Sequence, residues 1–476
     1  MASVPPRQDR PPRALLDLVA DLAPLRGELR TGRAVVDASI AVRRVEPDLG
    51  RMRAGDLFVA LPGASVDGHD LVALAAMRGA SAALVARPWA DRLGALPLPL
   101  VVVDDPAVAV SGLASAWRAR LRGTVVGITG SVGKTSTKEA LAAALRPTRA
   151  TWATEANRNT GLGVAMTLLD AAETDDVVVL EIGGGEGRDE IARTCAVARP
   201  DVGVVTSVHP VHLATMGSVA AIAASKADLV RAVPREGAVV LNADDPLVRD
   251  MALLSSAPVR WYGRGPAADV GAESVRSAGL DGTDLVVRSR GLRHLVHVPF
   301  LGGHAVEVVL AAVAAAEVLG VEASEAIAGI PDAGPLVRPR LVPGEGGCTV
   351  VDDCYSASPP SVRSALDLVG ALVGRRRVAV LGDMRELGEL TGPSHHEVGR
   401  YAAHRLDRLV TVGEDARELA RAASDERPGV RVTSVGEDEL DGALAAVRAE
   451  LDGTAVVLVK GSRALRLDRV VDALRL

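Results

Sequence analysis

The stretch Thr124–Glu139, TVVGITGSVGKTSTKE, constrains the fold more than any other part of the chain. An apolar strand (Val125, Val126, Ile128) runs into a turn of Gly130, Ser131, Val132 and Gly133. Lys134-Thr135 then opens a helix with the apolar stripe Ala140, Leu141, Ala144 and Leu145, and Ser136 lies in its first turn. This order builds a phosphate cradle. Glycines let backbone N–H groups close on an anion, and a helix N-terminus adds partial positive charge. Lys134 is expected on the β- and γ-phosphates, with the Thr135 hydroxyl on Mg²⁺. Ile128 stands where the first glycine of the usual P-loop spacing belongs, and Gly127 comes one residue early. A chance glycine-rich turn is the competing reading. The strand before it and the helix after it argue against that.

The rest of the chain predicts an α/β protein of three domains. Residues 14–122 read as a small N-terminal α/β domain, with strands in Gly55–Leu61 and Leu98–Asp104 and a helix, glycine stop and strand over Asp67–Val85. Residues 123–333 alternate apolar strands with helices: Thr124–Thr129, Asp176–Glu181, Asp201–Ser207 and Ala238–Asp245. Near-continuous apolar strands separated by helices imply a doubly wound parallel sheet covered on both faces. After Trp261 the period drops to two, which predicts a hairpin turning at Arg290-Gly291, and an Ala-rich helix follows over Ala305–Leu319. Pro331–Arg340 reads as a linker. Residues 334–476 form a C-terminal Rossmann-like domain, with strands ending in DDCYSASP, LGDM and KGSR. Residues 1–13 are expected to be a disordered tail without a signal-peptide core.

Composition removes several classes. Net charge is −6, which gives no electrostatic case for nucleic acid. No apolar run reaches membrane-spanning length. The three cysteines (Cys195, Cys348, Cys354) have no paired spacing, so a reducing cytoplasm fits better than a disulfide or zinc framework. Aromatic residues are only 2% of the chain, so its cores must be built from Ala, Val and Leu.

Rare residues narrow the chemistry. Only Lys134, Lys138, Lys226 and Lys460 are lysine among 54 basic residues, and only Asn157, Asn159 and Asn242 are asparagine. A chain that uses Arg for generic charge keeps Lys where a primary amine has a use. Lys138 is expected to be an ordinary exposed helix residue. Lys226 follows a loop carrying His209 and His212. A lysine can take up CO₂ as a carbamate, an anionic metal ligand that Arg cannot form, and either imidazole can ligate a metal. Glu181 ends a buried strand before Gly-Gly-Gly, facing the crevice where a parallel sheet binds its ligand, so Mg²⁺ ligation competes with a solvated strand-end acid. His69 is expected in a turn, and His395-His396 at the surface.

Taken together, the chain resembles the Mur ligase family, in particular the branch adding D-alanyl-D-alanine to a UDP-N-acetylmuramoyl tripeptide. The matching segments run in order: GDLFVAL, DGHD, GITGSVGKTSTK, EIG, LNADD, GGHAV, DDCYSASP, AVLGDMRELGEL and LVKGSRALRLDRVV. The resemblance implies a cytoplasmic, ATP- and Mg²⁺-dependent ligase of cell-wall synthesis that forms an amide bond through an acyl phosphate. It implies that Gly130–Ser136 hold phosphate, that Thr135 and Glu181 hold one Mg²⁺, and that His212 and carbamoylated Lys226 serve a second. It also implies that His304 lies on the adenine side, that Asp353 holds the ribose, and that Arg340 approaches the γ-phosphate. Its partners would be small molecules only, and a monomer is expected. The chain departs from the family pattern at Asp48-Leu49-Gly50, Asn157-Arg158-Asn159-Thr160, His304–Val308 and Tyr355–Pro359. These departures leave open a paralogue joining an amine to a different carboxylate in secondary metabolism. A nucleotide switch or small-molecule kinase is the reading from another class, and the lack of an N-K-x-D motif disfavours a GTPase.

Overall fold

The computed structural model describes residues 12–30, 40–63, 66–156, 158–185 and 187–476. Its contacts divide the chain into two compact units. The first takes in residues 1–127, 149–183 and 189–202, and the second residues 128–148, 184–188 and 203–476. Among the described residues no helix is long and apolar enough to cross a membrane. Most of the expected tail lies outside the described residues, but Arg13 is already in a strand.

In chain order the first strands are β1 (Arg13–Ala14), β2 (Glu28–Arg30), β3 (Ala41–Val42), β4 (Val45–Glu46), β5 (Leu57–Val59), β6 (Ala82–Ala86) and β7 (Leu100–Val103). A small sheet in the first unit has the order β2-β7-β6-β5-β4. β4 to β7 pair in parallel, and β2 is antiparallel to β7. Its central strands β5, β6 and β7 are short and apolar, so both of their faces are buried. The helix Pro106–Arg118 follows, started by Asp105, whose carboxylate accepts from the N–H groups of Ala107 and Val108.

Next come β8 (Thr124–Thr129), β9 (Thr151–Ala153), β10 (Val177–Glu181), β11 (Val202–Val205), β12 (Ala238–Asn242), β13 (Val259–Gly263), β14 (Val270–Ser277), β15 (Thr283–Ser289) and β16 (Leu292–Val298). β8 begins in the first unit and ends in the second. In the first unit the order is β8-β10-β9, so Glu181 does end the strand beside the glycine-turn strand. In the second the order is β16-β15-β14-β13-β12-β11-β8. β12, β13 and β14 pair in parallel, and β14, β15 and β16 form an antiparallel meander. The hairpin at Arg290-Gly291 is as expected; its third strand, β14, was not read from sequence. The helix His304–Val318 is buried almost all round, which its Ala and Val content permits.

The remaining strands are β17 (Arg340–Pro343), β18 (Thr349–Asp353), β19 (Arg376–Gly382), β20 (Arg408–Val412), β21 (Arg431–Val435) and β22 (Ala455–Lys460). They form a sheet of order β17-β18-β22-β19-β20-β21, parallel except for β17. Alternate residues of one strand enter different cores: Val456 and Leu458 pack on one face, Val457 and Val459 on the other. Helices therefore cover both faces, as a doubly wound sheet requires. β17 takes the end of the expected linker, because Arg340 already pairs with Asp352 across the sheet edge.

Candidate active site

The glycine turn is clasped from one side by the segment after β11. The Ser131 N–H donates to Ser207 O at 2.7 Å. The Val132 N–H donates to Ser207 Oγ at 3.3 Å, and Thr206 Oγ1 donates to Val132 O at 2.6 Å. Ser131 Oγ donates to His209 O at 3.2 Å and accepts from the His209 N–H at 2.9 Å. Gly130, at φ +148°, permits this approach, since a Cβ there would lie 1.8 Å from Thr206 Oγ1. Gly133, at φ +86°, is the N-cap of the helix Lys134–Leu145 and has no side chain to bond the first-turn amides. Those amides have no carbonyl partner within their own helix, so this helix start suits an anion. Lys134 Nζ folds back onto Gly130 O at 2.8 Å.

The clasping segment is itself anchored. Asn242 Nδ2 donates to Thr206 O at 2.9 Å. The Val208 N–H donates to Asp245 Oδ2 at 2.8 Å, while Asp245 Oδ1 caps the helix Pro246–Asp250. The buried Tyr262 hydroxyl donates to Val205 O and Thr206 O, and burial pushes its pKa well above the ordinary tyrosine range. Burial likewise holds the His209 imidazole below its usual value, with Asp245 opposing.

Of the candidate metal ligands, Thr135, His212 and Lys226 lie in the second unit and Glu181 in the first. Lys226 is 3% exposed on the helix Val219–Ala232, which Ser218 caps through the Ala221 N–H. His212 is half-exposed with φ +55°, and its Nδ1 pairs with the Glu386 carboxylate. Glu181 is buried; its Oε1 accepts from Asn159 Nδ2 at 2.8 Å, and its N–H donates to Thr154 Oγ1 at 3.0 Å. Among the described residues no three His, Cys, Asp or Glu side chains gather as a metal cage. Magnesium takes one or two hard protein oxygens and completes its shell with water and substrate phosphate. A hydroxyl and an oriented carboxylate are donors of that kind.

The adenine- and ribose-side candidates fall around β18. Asp353 pairs with Lys460 Nζ at 2.7 Å, and the same amine donates to Ser356 O at 2.9 Å. Arg340 donates to Asp352 Oδ2 at 2.6 Å and Arg338 to Asp352 Oδ1 at 2.9 Å. His304 Nε2 bonds Arg338 O at 3.0 Å. The guanidinium groups of Arg338 and Arg463 each lie over the Tyr355 ring, 5.5 Å from its centroid.

Two sequence expectations need correction. Lys138 is fully buried and pairs with Glu139 at 2.6 Å, because its face of the helix is covered. His395 is also buried: Nε2 accepts the Met384 N–H at 3.0 Å and Nδ1 donates to Thr391 O at 2.7 Å, while His396 alone is at the surface. His69 is in a turn as expected, with Nδ1 on Asp67.

Several departures from the family pattern have local structural roles. Thr160 caps the helix Gly161–Asp170, and Ser358 caps the helix Pro359–Gly370. Arg158 bridges the carboxylates of Glu46 and Asp170. Asn157 lies outside the described residues. Asp48-Leu49-Gly50 form a turn closed by the Gly50 N–H on Asp48 Oδ1. Sequence reasoning missed Asn159, Thr206, Ser207 and Glu386. The scarcity of asparagine was the available signal for the first, and nothing marked the others.

Comparisons with known proteins follow the same outline. Family models match residues 50–118 (Mur ligase family, catalytic domain), 128–316 (Mur ligase middle domain) and 338–463 (Mur ligase, glutamate ligase domain). The UDP-N-acetylmuramoyl-tripeptide–D-alanyl-D-alanine ligase of Mycobacterium tuberculosis is 37% identical, covering 93% of this chain and 95% of that protein. The Escherichia coli protein of the same name is 32% identical, covering 95% and 96%. A crystal structure of MurF from Acinetobacter baumannii superposes with TM-score 0.84 at 26% identity, covering 98% of this chain and 99% of that one. The MurF ligase of Thermotoga maritima, solved with ADP, has the same fold at TM-score 0.74 and 24% identity.

Replacing Thr206 by valine removes the bond to Val132 O without changing shape. The expected cost is about 1 kcal/mol, or about fivefold in the Kd of ADP, read by nucleotide titration; an unchanged Kd would show that the clasp does not shape the turn. Burial would raise the Asp352 carboxyl, but Arg338, the Cys354 thiol and Arg340 hold it below the usual carboxylate range. A carboxylate so held stabilises the fold above its unfolded-state pKa and loses that contribution as pH falls through its lowered value. The unfolding free energies of wild type and Asp352→Asn should therefore differ near neutrality and converge in acid, as measured by urea denaturation across pH.

Proposed function

We propose, from the premise that this chain belongs to the Mur ligase family, that it joins D-alanyl-D-alanine to a UDP-N-acetylmuramoyl tripeptide at the expense of ATP. It is an ATP-dependent ligase that forms a peptide bond, and its place is in peptidoglycan synthesis. The observation that carries the reading is the turn Gly130–Gly133, held by Thr206–His209 and running straight into Lys134-Thr135. The paralogue acting on another carboxylate is not favoured. Curated relatives matched over nearly their full length carry one name, and several of the departures serve as caps or turns here.

In the proposed course, the γ-phosphoryl group of ATP passes to the terminal carboxylate of the tripeptide. The amine of D-alanyl-D-alanine attacks the acyl phosphate, loses its proton, and phosphate departs from the tetrahedral intermediate. Lys134 and the helix start bind the β- and γ-phosphates and offset the charge that grows on them. Bound magnesium adds Lewis-acid charge at the same phosphates. Thr135 and Glu181 are the residues proposed to hold one ion, with Asn159 orienting the carboxylate. His212 and Lys226, the latter as a carbamate, are proposed for a second. His304, Arg340 and Asp353 are proposed on the adenine, γ-phosphate and ribose. Residues 14–122 are proposed as the UDP-substrate domain, 123–333 as the ATP domain, and 334–476 as the domain that excludes water from the acyl phosphate. A monomer in the cytoplasm belongs to the same proposal, and three buried free cysteines fit a reducing compartment.

Phosphate release should require both substrates together, and release no greater than with either one alone would overturn the reading. Lys226→Ala should abolish turnover, with partial recovery on adding short carboxylates. Full activity of that variant would refute the carbamate.

A further inference from the structure

Two segments of the second unit meet through residues with left-handed backbone. Among the described residues only eight non-glycine positions have positive φ, and His212 (φ +55°) and Glu386 (φ +67°) are two of them. Such positions are strained for residues with a side chain, so they persist where their surroundings hold them. Here they hold each other. The Glu386 carboxylate pairs with His212 Nδ1, and the Ala214 N–H donates to Glu386 O at 3.4 Å. Gly185 packs against the same ring, where a Cβ would lie 3.0 Å from His212 Nδ1 and Cε1.

The segment that carries Glu386 is firmly built. The buried His395 accepts the Met384 N–H, and the Arg385 N–H donates to Ser462 Oγ at 2.9 Å. Ser462 Oγ donates in turn to Asp383 O at 2.8 Å. Glu386 thus follows β19 on an arm tied to the loop after β22, while His212 follows β11.

We propose that Glu386 is a positioning residue for the metal site, which rests on the reading of His212 as a metal ligand. A carboxylate can only accept, so Nδ1 carries the proton and Nε2 keeps the lone pair that a metal needs. Ligating histidines commonly give their second N–H to a carboxylate in this way, which fixes the tautomer and the ring orientation. His212 lies in the stretch matched by the Mur ligase middle domain and Glu386 in the stretch matched by the glutamate ligase domain. Docking of residues 384–390 on 212–216 therefore completes the site, and metal affinity reports that docking.

The test uses the full chain with ADP and Mn²⁺ as the probe. Mn²⁺ binding is followed by electron paramagnetic resonance, and the Mg²⁺ activation constant is compared with the KM for D-alanyl-D-alanine. Glu386→Ala should weaken Mn²⁺ binding and raise the Mg²⁺ activation constant about 10–100-fold, leaving the KM for D-alanyl-D-alanine unchanged. Glu386→Gln, which keeps an acceptor for the N–H, should retain most of the binding. In a His212→Ala background, Glu386→Ala should add nothing. Unchanged or tighter Mn²⁺ binding in Glu386→Ala would overturn the proposal, tighter binding meaning that the carboxylate competes with the metal. So would an equal loss in the His212→Ala background. Wild-type phosphate release tests the ligase reading separately, so either reading can fail alone.

Discussion

The close approach of Gly130 to Thr206 is the contact on which the geometry of the glycine turn depends. A side chain on residue 130 would collide with the threonine hydroxyl, so the turn can be clasped only where Cβ is missing. With the clasp in place, the Ser131 and Val132 amides are bonded to Ser207. The start of the helix behind Gly133 is where the proposed function places phosphate. Asn242, Asp245 and Tyr262 hold the clasp in turn, so the geometry of a four-residue turn is set by groups more than 70 positions away in the chain.

The chain's rare residues point the same way. No lysine is exposed: Lys134 is half-buried against the turn it serves, while Lys138, Lys226 and Lys460 are 0%, 3% and 2% exposed. A chain that supplies arginine for solvent-facing charge has kept lysine where a slim ammonium fits a confined place. Both described asparagines donate from their amides, Asn159 to Glu181 and Asn242 to Thr206 O. An amide side chain both donates and accepts, and Asn242 does both, since its Oδ1 takes the Asp244 N–H at 3.0 Å.

The fold was legible wherever one face or both were buried by apolar runs. β8, β10, β11, β12, β18, β19, β20 and β22 announce themselves as Val- and Leu-rich segments between helices. β17 and β21 were missed because edge strands are polar enough to resemble linkers, and Arg431–Val435 has no fully buried residue. The linker reading of Pro331–Arg340 failed at its end for the same reason. Lys138 and His395 were misjudged because burial of a charged or polar residue is decided by what packs against it, which a helical pattern does not reveal.

The sequence alone settled the α/β class, the glycine turn with its Lys-Thr helix start, and the family resemblance, since these depend on neighbours within one segment. The tertiary structure alone decided that Thr206 and Ser207 clasp the turn, that Asn159 aims Glu181, and that Glu386 meets His212 across 174 positions of chain. Local sequence carries backbone propensity and hydrophobic period, both short in range. Which donor meets which acceptor across distant loops follows from strand order and domain packing, and those are properties of the whole chain.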